Sequence, residues 1–135
     1  MCPDLATRAV YAGEERLKPH HALTTPVFLT STFTFTDSAD MVDFMETQRL
    51  GRETTRLEYG RYGNPTVAAV ERKLADLDGG EAALLFSSGM AAVTVSLFAL
   101  LAAGAHVVLT DDSYRRTRQF ITEFLRRYDV AATVV

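Results

Sequence analysis

From residue 59 onward, short runs of consecutive apolar residues alternate with helical patterns, and that alternation confines the chain to an α/β architecture. The runs are residues 82–86, 106–110 and 131–135, the last reading Ala-Ala-Thr-Val-Val. None alternates apolar with polar, so each predicts a strand buried on both faces, as in a parallel sheet covered by helices. Between them, Val67, Val70, Leu74 and Leu77 recur at helical spacing. Asn64 reads as the N-cap of that helix and Pro65 as its first residue. Gly79-Gly80 stops it. Residues 91–101 are apolar on nearly every side and predict a buried helix that Gly104 ends. Residues 117–128 place Phe120, Ile121, Phe124 and Leu125 on one face and arginines on the other.

Residues 1–58 differ. They are rich in Thr, Ser and Phe with weak periodicity, as in Thr24-Thr25-Pro26-Val27-Phe28 and Ser31-Thr32-Phe33-Thr34-Phe35. Thr36-Asp37-Ser38 can cap a helix over 39–48, with Met41, Phe44 and Met45 on its apolar face. The chain therefore reads as an irregular N-terminal arm, 1–58, laid across a partner subunit, followed by the first part of a larger domain, 59–135. A chain that stops within an apolar run reads as a piece of a longer one.

With 135 residues, 47% hydrophobic and 23% charged, the chain can bury one modest core and has no signature of disorder. The net charge of -3 argues against a nucleic-acid partner, and the arginines at 115, 116, 118, 126 and 127 read as one face of a helix. The longest apolar stretch, 91–103, is too short to span a bilayer. The acidic and basic residues Asp4, Arg8, Glu14 and Glu15 break any secretory signal. Cys2 is the single cysteine, which fits a reducing compartment, and the expected location is cytoplasmic. His20-His21 and His106 lack ligand spacing, so no metal is expected.

The chemistry concentrates in the middle of the chain. Ser87-Ser88-Gly89-Met90 sits where a strand gives way to a helix. Such a turn aims backbone N–H groups and a positive helix end at one spot, and that spot suits an anion. Alone, such a turn is more often an ordinary cap. Phosphate-loop and dinucleotide patterns are absent. Upstream, Tyr59 and Arg61 stand two apart, so on an extended segment they face the same way. A guanidinium beside a phenol suits a phosphate dianion, although a surface arginine next to a packed tyrosine gives the same pattern.

Taken together, Tyr59-Gly-Arg61-Tyr-Gly-Asn64-Pro65-Thr66 and Ser88-Gly89-Met90 resemble the trans-sulfuration family of pyridoxal-phosphate enzymes of cysteine and methionine metabolism. The resemblance runs from Thr25-Pro26 and Ser31-Thr32-Phe33 to Tyr114. Asp112-Ser113-Tyr114-Arg115-Arg116-Thr117 makes it nearest to plant-type cystathionine γ-synthases. It implies the N-terminal part of a fold-type I, aspartate aminotransferase-like transferase. It also implies roles. Ser88, Gly89 and Met90 hold the phosphate of pyridoxal phosphate, Tyr59 and Arg61 reach the phosphate of a neighbouring subunit, and Tyr114 stacks on the ring with a part in proton transfer.

The same resemblance implies an amino-acid substrate, a homo-oligomer built as a dimer of dimers, and γ-replacement joining an activated homoserine ester to cysteine. The alternatives are cystathionine or methionine γ-lyase, O-acetylhomoserine sulfhydrylase, or an inactive truncated relative serving as an interaction module. The cofactor-bearing lysine is implied to lie beyond residue 135. Lys18 and Lys73 are the only lysines, and Lys73, among Glu71, Arg72 and Asp76, reads as part of a solvated face. Covalent catalysis by this chain alone is therefore not expected.

Overall fold

The computed structural model describes residues 4–52, 54 and 56–135; Cys2 lies outside them. The chain separates into two compact units, Met1–Leu84 and Leu85–Val135.

In the first unit, α1 (Leu5–Tyr11) begins where the Asp4 carboxylate accepts the N–H of Thr7 at 2.8 Å. The sequence reading placed no helix here, because seven residues carry too little periodicity to announce one. A single 3₁₀ turn, Pro19–His21, interrupts an otherwise irregular stretch. The next helix, α2 (Ser38–Arg49), is capped by Asp37, whose carboxylate accepts the N–H of Asp40 at 2.9 Å. Only Phe44 of its predicted apolar face is buried, stacked at 5.4 Å against Phe35; Met41 and Met45 stay exposed. Arg56 pairs with Asp40 and lies 4.8 Å over the Phe35 ring. The N–H of Thr36, and then Arg56, hold the Asp40 carboxyl below its ordinary range.

The third helix, α3 (Pro65–Asp78), starts and stops where its residue types dictate. Gly79 enters the left-handed region at φ 68° and closes a Schellman motif. In that motif the Gly80 N–H donates to the Ala75 carbonyl at 2.8 Å and the Gly79 N–H to that of Asp76 at 3.2 Å. The charged face of α3 is solvated, as the sequence reads, but it also has partners that the sequence does not announce: Arg8 pairs with Asp76 at 2.8 Å, Arg72 with Glu15 at 3.6 Å, and Lys73 Nζ donates to the Val10 carbonyl at 3.0 Å. Val67, Val70 and Leu74, on the predicted apolar face, are exposed as well.

In the second unit, α4 (Gly89–Leu100) leads to β1 (His106–Leu109). Next comes α5 (Arg115–Gln119), which passes without a break into a π turn, Phe120–Phe124, and a 3₁₀ turn, Leu125–Tyr128. The widening accompanies a side-chain bond from Thr122 Oγ1 back to the Arg118 carbonyl at 2.9 Å, which competes with the helix's own ladder. The unit ends in β2 (Ala131–Val134), paired parallel with β1 in the register His106 to Ala131. Ile121, Leu125 and Val130 are buried against Leu97, Leu101, Val107 and Phe120.

Two expectations fail here. Residues 82–86 join no ladder among the described residues, because a strand needs a partner and β1 pairs with β2. No residue of α4 is fully buried: two four-residue strands and the α5 segment cover one side of it, and Phe98 remains 52% exposed. Among the described residues no helix is long and apolar enough to cross a membrane.

Candidate functional site

Site residues fall into two groups, one in each unit. In the second unit, Ser88 is the N-cap of α4, extended at φ -159°, and its Oγ accepts the N–H of Ala91 at 3.1 Å. A helix leaves its first N–H groups without intrahelical acceptors. Here Ser88 satisfies Ala91 through its side chain and Ala92 through its carbonyl at 3.1 Å. The N–H groups of Gly89 and Met90 are left at the helix mouth, where the macrodipole is positive. A Cβ built on Gly89 meets nothing within 4 Å, so the mouth is open to an approaching group. Donors of this kind in an open cradle fit a phosphate dianion.

Beside this mouth lies the start of α5. Thr117 Oγ1 contacts Met90 Sδ at 3.7 Å, holding the first turn of α4 against α5. Tyr114 immediately precedes α5 and accepts the Arg118 N–H on its carbonyl at 3.1 Å. Its side chain is 66% exposed, so the phenol is free of core packing. Ser113 fixes the turn from β1, its Oγ donating to the Thr110 carbonyl at 2.7 Å.

In the first unit, Tyr59 forms an antiparallel bridge with Thr32, flanked by the Phe33 N–H to the Glu58 carbonyl at 3.0 Å and the Gly60 N–H to the Ser31 carbonyl at 2.7 Å. The expected extended geometry stops there. The Tyr62 N–H donates to the Tyr59 carbonyl at 3.0 Å, so residues 59–62 form a turn. Tyr59 and Arg61 nonetheless come together, by stacking instead of by strand register, with the guanidinium 5.0 Å from the Tyr59 ring centre. Among the described residues no carboxylate lies within ion-pair distance of Arg61.

Asn64 does more than cap. Its Oδ1 accepts the N–H of Thr66 at 2.8 Å while its Nδ2 donates to the Phe28 carbonyl at 3.0 Å. Thr66 Oγ1 then accepts the Phe28 N–H at 2.9 Å. Asn64-Pro65-Thr66 thus staples the irregular segment to the start of α3, next to the Tyr59 turn. The only sequence signal was the choice of Asn, whose amide offers donors that Ser or Asp lack. Asn64→Ala removes the cap and the strap bond together and is expected to cost about 1–3 kcal/mol. Asn64→Asp keeps the cap and is expected to lose only part of this. Thermal unfolding of both variants checks the order.

Lys73, with its ammonium on the Val10 carbonyl, and Lys18, paired with Glu14 at 3.0 Å, are engaged in holding the N-terminal segment. The hydrogen bond from Lys18 holds the Glu14 carboxyl below its usual range, against partial desolvation.

Cystathionine gamma-synthase 1, chloroplastic, of Nicotiana tabacum is 45% identical over 129 residues, covering 94% of this chain and 23% of that protein. L-methionine gamma-lyase of Treponema denticola is 39% identical over 130 residues, covering 96% and 31%. The crystal structure of MetB from Corynebacterium glutamicum superposes with a TM-score of 0.81 at 30% identity, over 98% of this chain and 31% of that one. The chain spans about a quarter of the length of the first two curated relatives it matches, the second being the Arabidopsis thaliana protein of the same name. The family pattern described as Cys/Met metabolism PLP-dependent enzyme matches residues 6–135, and the chain belongs to that family of pyridoxal-phosphate-dependent enzymes.

Proposed function

We propose that this chain is the N-terminal part of a trans-sulfuration enzyme that joins an activated homoserine ester to cysteine, releasing the ester's acid and forming cystathionine. The observation that carries the reading is the open mouth of α4, where the N–H groups of Gly89 and Met90 have no acceptor among the described residues. These amides, with Ser88, hold the phosphate end of the cofactor. Pyridoxal phosphate, when bound, supplies an electron sink for the amino-acid substrate. Tyr114, exposed beside the mouth, stacks on the ring and holds or moves a proton at its phenol oxygen. Tyr59 and Arg61 contribute a phenol and a guanidinium fork to the phosphate of a second subunit, making the assembled site a shared one.

Residues 1–58 serve as the arm that lies on that second subunit. Support comes from Leu23 and Leu29, each 92% exposed in a stretch with little secondary structure. The expected assembly is a dimer of dimers. A cytoplasmic location is proposed; the plant relatives are named chloroplastic, so a plastid is the competing compartment. A γ-lyase reading is favoured by the likeness to L-methionine gamma-lyase.

The lysine that carries the cofactor lies outside this chain in the proposed enzyme. Mixing the 135-residue chain with pyridoxal phosphate and borohydride is therefore expected to label Lys18 and Lys73 no more than an exposed lysine of an unrelated protein, by peptide mass analysis. In the assembled enzyme, the activated homoserine ester with cysteine should yield cystathionine in excess of the keto acid. Selective, stoichiometric labelling of either lysine overturns the assignment of the lysine, and keto acid as the main product turns the reading to the lyase.

A further inference from the structure

The turn that brings Arg61 to Tyr59 brings a third side chain with it. Tyr62 would point away from Tyr59 on a strand, but the hydrogen bond from its N–H to the Tyr59 carbonyl, 3.0 Å, folds it back. Its ring meets the Tyr59 ring edge-on, centres 6.1 Å apart and planes at 62°. The Arg61 guanidinium lies 5.0 Å from the centre of one ring and 5.9 Å from the other, within cation–π range of both. No carboxylate competes for it among the described residues. Tyr62 is 70% exposed, so it contributes little to any core. Its position has another meaning.

We propose that Tyr62 is a positioning residue for phosphate recognition: with Tyr59 it forms a corner of two rings that holds the Arg61 guanidinium in place before the dianion arrives. The proposal rests on the reading that Arg61 binds the cofactor phosphate. A flexible arginine loses side-chain freedom on binding, and restraining it beforehand removes part of that cost. Contact with the rings uses no hydrogen-bond acceptor, so the guanidinium N–H groups stay available to a phosphate. The phenol oxygen of Tyr62 is not needed for this, only the ring.

The test uses the holoenzyme carrying Arg61→Ala, Tyr62→Leu, Tyr62→Phe and the Arg61→Ala/Tyr62→Leu pair. Cofactor dissociation constants by equilibrium dialysis and the ³¹P resonance of bound cofactor are read for each, with thermal unfolding as a folding control. Tyr62→Leu is expected to weaken cofactor binding by about two- to fivefold, the range of an exposed cation–π contact, and to move the phosphorus resonance toward that of free cofactor. Tyr62→Phe should restore both to wild type. In the Arg61→Ala background Tyr62→Leu should have no further effect. Wild-type affinity in Tyr62→Leu, failure of Tyr62→Phe to rescue, or an undiminished effect without Arg61 each overturns the proposal. Unchanged affinity in Arg61→Ala overturns the underlying phosphate reading instead.

Discussion

Gly13→Ala is expected to loosen the N-terminal segment from α3, at a cost of about 3 kcal/mol or more. Gly13 sits in the left-handed region at φ 75°, where a side chain costs about 1–2 kcal/mol. A Cβ there would lie 2.3 Å from the Ala69 carbonyl oxygen and 2.8 Å from the Lys73 nitrogen. Both are backbone atoms of a capped helix, so they have nowhere to go, and overpacking of this kind adds about 1–3 kcal/mol. The segment yields first, giving up the Lys73 bond to Val10 and the Arg72 bond to the Gly13 carbonyl. Tryptic cleavage after Arg16, which tracks local opening, should then rise about a hundredfold. Gly51→Ala is the control, with φ 64° and nothing within 4 Å of its Cβ. It keeps the conformational cost without the collision. Equal cleavage in wild type and Gly13→Ala would show that the close approach does not hold the segment.

Arg61→Ala is expected to weaken cofactor retention more than tenfold in the assembled enzyme. A charge-assisted hydrogen bond contributes roughly 1.5–3 kcal/mol, and each 1.4 kcal/mol is about tenfold in affinity. Arg61→Lys should recover only part of the loss, since an ammonium supplies the charge without the paired N–H edge. Dialysis of the holoenzyme followed by measurement of bound cofactor distinguishes the three proteins. Retention unchanged in Arg61→Ala would remove Arg61 from the site.

Features set by neighbours along the chain were legible in the sequence. Asn64 and Pro65 start α3, Gly79 ends it, Asp37 begins α2, and β1 and β2 fall on their apolar runs. Each is decided within a few residues by a cap, a fixed φ or a β-branched run. Features set by distant partners were not. Residues 82–86 have the composition of a strand, but a ladder is a property of two segments. α4 is apolar all round, yet burial depends on what lies against it. The charged face of α3 was read as wet and is exposed, but its partners, Arg8, Val10 and Glu15, come from more than fifty residues away and gave no sign of themselves.

The site followed the same division. Ser88 and Gly89 at the mouth of α4 were readable because a turn between an apolar run and a helix has one geometry. Pairing of Tyr59 with Arg61 was anticipated, but its cause was not, since strand register and a turn both bring them together. The fold-back of Tyr62 had no signal, and the crossing bond of Asn64 had only the choice of Asn, as each depends on a turn or a distant segment that spacing does not encode.

The attachment of α1 to the charged side of α3 sets how far the leading end can be shortened. Clipping past Asp4 deletes the carboxylate that starts α1. Clipping past Arg8 leaves the Asp76 carboxylate without its counter-ion, and past Glu15 does the same to the guanidinium of Arg72. With Val67, Val70 and Leu74 already exposed on α3, a trimmed protein would add unpaired charges beside them. Truncations are therefore expected to be tolerated best when residues 4–15 are kept.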